Sequence, residues 1–478
     1  MSKLNGLAPE RVFKYFEEIC SIPHGSGDMK KISAYCMDFA AKHSLQAICD
    51  DAHNIIIFKP ASKGYENSEP VILQGHLDMV CQKTEECGID FNTDGLDIFT
   101  DGDFIKAKGT TLGADNGIAV AMIFAILESS DIHHPAIEAV FTTDEEIGMI
   151  GATALCTAPL SAKKMINLDS EEDDTVTVSC AGGSDFKAIL PITRTEITAK
   201  ETVITISGLC GGHSGIEINS GRVNASILMG RVLSHLDSFD IIDIGGGDKC
   251  NAIPNSCTVR LAAKNPEKLT ATALSYLEVI KKEIYAREGG FTFSVNTCDN
   301  KQTLQIMDSA SKNTLIRTLI CVPNGVVEMS AEIEGLVETS LNLGILKTIE
   351  DSIVLGFALR SNKQSALDFL EERLNAFFSG TDFETRSSGH YPPWEYVSSS
   401  ELQRIYKEAF LEQFGFEAKV EAIHAGLECG VFASKIAGLD CISIGPHLYD
   451  VHTTAEKLSI SSTEKIFNLL LNILEKCK

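Results

Sequence analysis

The sequence has no run of ~20 uninterrupted apolar residues and no excess of basic side chains. Its 478 residues include 66 Asp and Glu against 41 Lys and Arg, a formal net charge of −25. This acidity repels nucleic-acid phosphates and anionic lipid, so we expect neither nucleic acid nor a membrane as partner. Because the opening MSKLNGLAPERVFKYFEEIC has no apolar h-region, we expect no signal peptide and a cytoplasmic location.

Several motifs of other protein classes are also missing. The fifteen cysteines form no CxxC pair, and their scatter through apolar runs predicts reduced packing thiols rather than a disulfide framework. The segment GGGDK lacks the spacing of a phosphate loop, and no GxGxxG opens a helix after a strand. No GxSxG elbow occurs, which disfavours a serine hydrolase.

The first third of the chain alternates short apolar runs with helical patterns. The runs fall at residues 55–58, 71–73, 139–141 and 165–168. The segment NGIAVAMIFAILES is apolar nearly all round and is typical of a buried helix. Short buried strands separated by helices predict an α/β domain with a mostly parallel central sheet and helices on both faces.

The pattern changes from about Thr202. Residues 337–347 and 352–361 read as a strand pair, and helices are grouped among further strands, which predicts an inserted α+β domain with a mostly antiparallel sheet. The α/β pattern resumes near residue 417. We therefore predict one α/β domain formed by residues 1–182 and 390–478, interrupted by a second domain at 183–389.

Five short segments carry His, Asp or Glu. Four of them lie at or near the ends of predicted strands, and the fifth is a Gly-rich turn that opens the apolar helix. In open α/β sheets the loops at the carboxyl ends of strands converge on one crevice, so we expect these side chains to meet. The candidates are His76 and Asp78; Asp115 on the turn; Asp144, Glu145 and Glu146; Asp169; and His447 and His452.

Gathered carboxylates repel one another unless protons or cations offset them. Imidazoles mixed with carboxylates match the ligand preferences of zinc, manganese and cobalt, and a two-metal hydrolytic site needs a bridging carboxylate. Taken singly, each residue has an ordinary explanation as a loop histidine, a helix cap or a solvated acid. Their joint placement in five segments favours a metal site, in which His447 and His424 compete with His452.

The motifs GHLDMV, LGADNG, TTDEEIG, NLDSE and VHTTAE occur in this order. Through them the sequence resembles, over essentially its whole length, the dinuclear zinc exopeptidases of the aminoacylase and carboxypeptidase clan. Within that clan it is most similar to the aminoacyl-histidine (Xaa-His) dipeptidases. The resemblance implies two divalent metal ions per chain, most simply Zn2+ with Co2+ or Mn2+ as alternatives, a short peptide substrate, and an inserted domain that serves as a lid.

The matching motifs also imply roles for individual residues. Glu145 resembles the general base, and Asp78 resembles the carboxylate that orients a ligand imidazole. The last motif departs from the clan, because His452-Thr453-Thr454 stands where His-Ser-Pro is common, although Glu456 keeps its offset. The residues that resemble metal ligands are His76, Asp115 as the bridge, Glu146 on one ion, Asp169 on the other, and His452.

Three residues of the inserted domain and one residue of the chain that follows it resemble residues that contact the substrate in this clan. His213, in the Gly-rich loop GLCGGHSG, is similar to a lid histidine that stabilises the oxyanion, and Asn251 is similar to a lid asparagine that touches substrate. Arg360 resembles the arginine that binds the substrate carboxylate, and His424 is expected to line the pocket. Pairing of two lids in a homodimer and closure of the lid within one subunit are both compatible with this sequence.

These observations lead to the expectation of a metal-dependent dipeptidase that favours Xaa-His dipeptides such as β-alanyl-histidine. A tripeptidase or an N-acyl amino-acid deacylase would use the same metal centre with a different pocket. A non-catalytic peptide-binding protein would be favoured if a ligand or the base were absent, and none is.

Overall fold

The computed structural model describes residues 3–478, which form two compact units. The first unit contains residues 3–179, 396–422 and 427–478, and the second contains residues 180–395 and 423–426. Within residues 3–478, no helix combines the length and the apolar character that crossing a membrane requires. None of the fifteen cysteines, which all lie within residues 3–478, forms a disulfide bond.

The first unit begins with four helices and eight strands. Helix α3 follows the apolar NGIAVAMIFAILES segment and is buried along most of its length, packed between α1 and β3. The elements are α1 (Glu10–Cys20), α2 (Lys30–Lys42), β1 (Gln46–Cys49), β2 (Ile55–Lys59), β3 (Val71–His76), β4 (Ile98–Asp101), β5 (Phe104–Ala107), α3 (Ala114–Glu128), β6 (Ile137–Thr142), α4 (Ile150–Ala154), β7 (Lys164–Asn167) and β8 (Thr175–Cys180).

The second unit contains most of the inserted segment. Its elements are β9 (Gly182–Pro191), β10 (Arg194–Ser207), β11 (Gly212–His213), α5 (Ala225–Ser234), β12 (Phe239–Asp248), β13 (Ala252–Ile253), β14 (Cys257–Ala263), α6 (Pro266–Ile284), β15 (Thr292–Thr297), β16 (Gln302–Met307), α7 (Ser309–Cys321), β17 (Gly325–Met329), β18 (Val337–Ile349), β19 (Ser352–Ser361), α8 (Gln364–Phe378) and β20 (Glu384–Tyr391), with a 3₁₀ turn at Ile218–Ser220.

The chain then returns to the first unit, which its remaining elements complete. These are α9 (Glu401–Phe414), β21 (Lys419–Ile423), α10 (Glu428–Lys435), β22 (Asp440–Ser443), β23 (Leu448–Tyr449), β24 (Lys457–Ser459) and α11 (Ile460–Lys476).

The main sheet of the first unit has the strand order β1-β2-β6-β3-β7-β22-β8-β21. The four central strands β6, β3, β7 and β22 are joined by parallel pairings, whereas β1, β2 and β8 pair antiparallel at the flanks. The predicted α/β class with its inserted α+β segment is confirmed. Parallel pairing matters for function because it brings the carboxyl ends of β3, β6, β7 and β22 to the same edge.

A small sheet of order β23-β24-β5-β4 is an addition that the sequence patterns did not predict. Strand β24 pairs with β5 through residues such as Leu458 and Ile105, which are more than 350 positions apart in the chain. This sheet holds the C-terminal His452 segment against the part of the chain that precedes α3.

The second unit has an antiparallel sheet that includes β15-β10-β14-β12-β18-β19-β9-β20, and its core lies between this sheet and helices α5 to α8. The predicted pair of strands is present as β18 and β19, with Leu341 opposite Leu359. The segment GGGDK lies mostly within a strand, because β12 continues through Asp248 and Gly245 pairs with Lys347 of β18. Glycines tolerate this pairing because no side chain competes for space.

Candidate metal centre

The central strands of the first unit carry functional side chains at their carboxyl ends. His76 is the last residue of β3 and lies opposite Thr142 of β6, and Gln74 lies opposite Asn167 of β7. The loop after β6 holds Glu145 and Glu146. Parallel register therefore places the polar residues that follow each apolar run at one edge of the sheet.

Asp115 lies on the turn that opens α3. Gly113 has φ +66, and a Cβ there would sit 2.7 Å from the Met79 sulfur, so this position requires glycine. The Glu456 carboxylate accepts backbone N–H groups across the turn, at 2.7 Å from Leu112 and 2.9 Å from Ala114. These contacts fix the backbone from which the Asp115 side chain projects.

The two Asp115 oxygens contact two different imidazoles. Oδ1 lies 3.2 Å from His76 Nε2, and Oδ2 lies 3.2 Å from His452 Nε2. Asp169 Oδ1 is 3.5 Å from His76 Nε2, and Glu146 Oε1 is 2.9 Å from His452 Nε2. Ligand atoms of His76, Asp115 and Glu146 all lie within 4.8 Å of one another. This donor set fits divalent cations that prefer nitrogen and oxygen ligands.

The charges of this cluster are strongly coupled. Burial works to raise the pKa of Asp115, but hydrogen bonds from His452 and His76 hold it below its ordinary value. Burial and the neighbouring charge on Asp115 raise the pKa of Asp169 to about 6, against the opposing effect of His76. Hydrogen bonds to Asp115 and Glu146 raise the pKa of His452 to about 10. Positive charge on the imidazoles thus offsets the carboxylates, as a bound cation would.

Asp78 connects His76 to the loop after β6. Its carboxylate accepts the backbone N–H groups of Glu145 at 2.9 Å and Glu146 at 3.2 Å, and the Ser26 hydroxyl at 2.8 Å. His76 Nδ1 lies 3.0 Å from the Asp78 carbonyl oxygen and 3.5 Å from its carboxylate. The contact expected between carboxylate and imidazole is therefore longer than the contact to the main chain.

The Glu145 side chain has no hydrogen-bond partner among residues 3–478 and lies beside the cluster. Burial and the charges of nearby carboxylates such as Asp169 raise the pKa of Glu145 well above its ordinary value, against the opposing charge of His76. A carboxyl held in this way accepts a proton readily.

His447 and His452, which both follow β22, have different surroundings. His447 Nε2 pairs with Asp173 Oδ1 at 3.0 Å, whereas His452 Nε2 contacts Asp115 and Glu146. Of these two histidines, His452 is the one that joins the cluster.

His213 lies in the second unit on the short strand β11. Its backbone N–H donates to Glu217, which also pairs with Arg222, and its Nδ1 accepts from the backbone N–H groups of Gly215 and Ile216 at 3.3 Å. Burial and the charge of Arg360 lower the pKa of His213. The imidazole is therefore neutral near neutral pH and retains Nε2 as a donor.

Asn251 is exposed on a tight loop of the second unit. Asn342 Nδ2 donates to the carbonyl oxygens of the two flanking residues, Cys250 at 2.9 Å and Ala252 at 2.8 Å. The Asn251 carbonyl accepts the backbone N–H of Ser214 at 2.9 Å, which ties this loop to the one that carries His213.

Arg360 is a buried cation at the end of β19. Its Nη1 donates to Tyr391 Oη at 3.0 Å, while its Nε has no hydrogen-bond partner. His424 lies nearby, bonded to Ser340 Oγ at 2.7 Å and to Asn362 Oδ1 at 3.2 Å. Burial and the charge of Arg360 lower the pKa of His424 to about 3. A buried guanidinium beside a neutral imidazole favours an anionic ligand.

The sequence analysis assigned no role to two residues that support the cluster, Asn116 and Glu456. Asn116 Nδ2 donates to Asp169 Oδ1 at 2.9 Å, and Asn116 Oδ1 accepts the backbone N–H of His76 at 3.2 Å. Glu456, noted only for its offset from His452, supports the Asp115 turn. Both belong to motifs quoted from the sequence, LGADNG and VHTTAE, but their partners are dozens to hundreds of positions away.

Comparison with known proteins gives consistent matches. The sequence profile described as Peptidase family M20/M25/M40 matches residues 72–476. The cytosol non-specific dipeptidase of Escherichia coli (strain K12) is 36% identical over 100% of this chain and 99% of that protein. The crystal structure of aminoacylhistidine dipeptidase from Vibrio alginolyticus has a TM-score of 0.89 at 35% identity, covering 99% of this chain and 98% of that one. A tripeptidase from Staphylococcus aureus shares the fold, with a TM-score of 0.57 at 15% identity over 98% of this chain and 99% of that one.

Proposed function

Because the chain belongs to Peptidase family M20/M25/M40 and is a metallopeptidase, we propose that it hydrolyses dipeptides and favours Xaa-His dipeptides such as β-alanyl-histidine. Two relatives that match almost the whole chain are dipeptidases by name, one of them an aminoacylhistidine dipeptidase. The observation that carries the proposal is the Asp115-centred cluster, which has the donor types a metal-dependent hydrolase needs.

In this proposal the chain would hold two divalent ions, most simply zinc, with Asp115 as a ligand shared by both. His76 and Asp169 would hold one ion, and Glu146 and His452 would hold the other. The support is that each Asp115 oxygen already contacts a different imidazole, at equal distances of 3.2 Å. Bound there, the ions would supply Lewis-acid chemistry that polarises the scissile carbonyl and acidifies a water molecule.

The chain itself would move the proton. Glu145 is the proposed general base, which accepts a proton from the attacking water and returns it to the leaving amine. Its side chain is free of hydrogen bonds to other described residues, so it is available for this transfer. Asp78 would act indirectly, by fixing the backbone of Glu145 and Glu146 and the ring of His76.

We assign recognition of the substrate ends to residues of the second unit. Arg360 would bind the C-terminal carboxylate through its guanidinium fork, and His213 would donate to the developing oxyanion. Asn251 would contact the substrate main chain, and His424 would line the pocket beside Arg360. Arg360 is buried, donates to the Tyr391 hydroxyl and forms no ion pair with an acidic side chain among residues 3–478, which supports this assignment.

The roles of the two predicted domains are also part of the proposal. Residues 1–182 and 390–478 would form the catalytic domain, and residues 183–389 would form a lid through which a homodimer assembles. We propose a cytoplasmic location because the Escherichia coli relative is named a cytosol dipeptidase. Light scattering of the purified protein, compared with a variant that lacks residues 183–389, tests the dimer.

The direct test of function is a hydrolysis panel with the zinc-loaded protein. β-Alanyl-histidine, leucyl-histidine, alanyl-alanine, trialanine and N-acetyl-alanine should be compared at equal concentrations. We expect dipeptides to be cleaved with kcat/KM at least tenfold above that of trialanine and N-acetyl-alanine. Preferential cleavage of the tripeptide or of the N-acyl amino acid would contradict the dipeptidase assignment.

A further inference from the structure

Four buried polar side chains of the first unit form a layer that crosses three strands and one helix. Each of them has 0% exposure. We call them the Glu428 layer, and its members are Gln74 of β3, Thr142 of β6, Asn167 of β7 and Glu428 of α10.

A single carboxyl oxygen accepts two of the four hydrogen bonds in the Glu428 layer. Glu428 Oε2 accepts hydrogen bonds from Gln74 Nε2 at 2.5 Å and from Thr142 Oγ1 at 2.7 Å. Gln74 Nε2 also lies 3.1 Å from Thr142 Oγ1, and Gln74 Oε1 accepts from Asn167 Nδ2 at 2.5 Å. The helix and the three strands are thus joined through side chains as well as through the sheet.

Fold stability alone does not explain a carboxyl group at this position. No Lys or Arg within residues 3–478 pairs with Glu428, and its Oε1 has no hydrogen-bond partner. Burial raises the pKa of Glu428 to about 7, against the opposing charge of His76. A buried acceptor with an unmet hydrogen bond costs free energy, so stability alone does not favour a carboxyl group with a free Oε1 at this position.

The position of the Glu428 layer relative to the metal centre offers a reason. Gln74 precedes His76 by two residues, and Asn167 precedes Asp169 by two, while Thr142 ends the strand that leads to Glu145. Residues two apart in a strand project from the same face. Fixing Gln74 therefore fixes the face of β3 from which His76 projects, and fixing Thr142 and Asn167 fixes the last residues of β6 and β7, from which the loops to Glu145 and Asp169 start.

We infer that Glu428 is a positioning residue for the metal centre, the common acceptor that holds the ends of β3 and β6 at the spacing the ligands require. Through Gln74 the same carboxyl group reaches β7 and the Asp169 loop. This inference rests on the proposed function and concerns a residue that touches neither a ligand nor the substrate.

The experiment compares Glu428→Leu, Glu428→Gln and Val431→Ala with the wild type. Val431→Ala is the matched control, since it also removes buried volume from α10 without touching the layer. For each protein, Co2+ affinity and the Co2+ absorption spectrum are measured on the metal-free chain, together with the unfolding midpoint, kcat and KM.

We expect Glu428→Leu to weaken Co2+ binding by about 10–100-fold, as loss of groups that support ligands generally does. Its spectrum should change and its kcat should fall while KM stays within about twofold. Glu428→Gln keeps an acceptor oxygen and should restore Co2+ affinity to within about threefold of wild type. Val431→Ala should lower the unfolding midpoint and leave Co2+ affinity and spectrum unchanged.

Wild-type Co2+ affinity and spectrum in Glu428→Leu, at an unfolding midpoint lowered as in Val431→Ala, would overturn the inference. If Glu428→Leu does not fold, Thr142→Val removes one donor to the same oxygen and should weaken Co2+ binding in the same direction; unchanged affinity there would overturn it equally. A wild-type chain that bound no Co2+ and cleaved no dipeptide would instead overturn the proposed function, and this inference with it.

Discussion

Asp115 joins two histidines that are 376 positions apart in the chain, with Oδ1 3.2 Å from His76 Nε2 and Oδ2 3.2 Å from His452 Nε2. One carboxylate that faces two nitrogen ligands is the arrangement expected of a group that bridges two cations. The other acids follow the same division, with Asp169 near His76 and Glu146 near His452. The catalytic proposal depends on this relationship.

Removing the Asp78 carboxylate should disturb the centre without removing a ligand. In Asp78→Ala the backbone N–H groups of Glu145 and Glu146 lose their acceptor, so zinc affinity should fall by about 10–100-fold. Ser26→Ala is the matched control, because it removes only a hydroxyl that donates to the same carboxylate. Competition with a fluorescent chelator measures both affinities. Equal affinities in Asp78→Ala and wild type would contradict the supporting role.

Glu145→Gln should separate proton transfer from metal binding. The amide is close to the carboxylate in shape but accepts no proton at neutral pH, so kcat should fall by about 10²–10⁴-fold. Zinc content and KM should remain within about twofold of wild type, because Glu145 is not a proposed ligand. Glu172→Gln, at an exposed acid of the loop after β7, should behave as wild type. Retention of kcat within tenfold in Glu145→Gln would rule out its role as base.

Arg360→Lys should weaken recognition of the substrate carboxylate. Lysine keeps the charge but loses the planar fork, so KM for β-alanyl-histidine should rise by about 10–100-fold. The matched probe is the dipeptide amide, which has no C-terminal carboxylate and should be cleaved equally well by both proteins. If Arg360→Lys weakened cleavage of the dipeptide and of the dipeptide amide by the same factor, Arg360 would not be the residue that binds the substrate carboxylate.

His424 predicts a pH dependence of stability. Burial and the charge of Arg360 lower its pKa to about 3 in the folded protein, whereas the unfolded chain titrates near ~6.5. The unfolded state then binds more protons below ~6.5, so stability is lost as pH falls, by about 2 kcal/mol between pH 7.5 and pH 5.

The His424→Gln variant should lack this contribution. Urea unfolding of both proteins at the two pH values, in the presence of a chelator, isolates the difference. An equal pH dependence in the variant and the wild type would show that His424 has the same pKa in the folded and unfolded states. The neutral imidazole bonded to Ser340 and Asn362 would then be the wrong description.

Local sequence patterns predicted the central elements well. The apolar runs at 71–73, 139–141 and 165–168 are strands β3, β6 and β7, and the fully apolar segment is helix α3. These elements are buried on all sides, so their composition alone marks them. The polar residues that follow them were recognisable because a buried strand ends where polar side chains begin.

Contacts between segments far apart in the chain could not be predicted from local sequence patterns. The four-stranded sheet that contains β24 and β5, the contact of Glu456 with the Asp115 turn, and the Glu428 layer each join segments hundreds of residues apart. Nothing in the local spacing of Glu428 distinguishes it from a solvated helix-start acid. A glycine run usually ends a strand, and in β12 the pairing with β18 overrides that preference.

The most direct test of the two-ion centre is the metal content of Asp115→Ala after dialysis against zinc, determined by elemental analysis alongside turnover of β-alanyl-histidine. Wild type should retain two zinc ions per chain, and so should Asp173→Ala, which removes an acid paired with the non-cluster histidine His447. Asp115→Ala should retain less than one ion and show no measurable turnover. Two retained ions with wild-type turnover in Asp115→Ala would contradict the account.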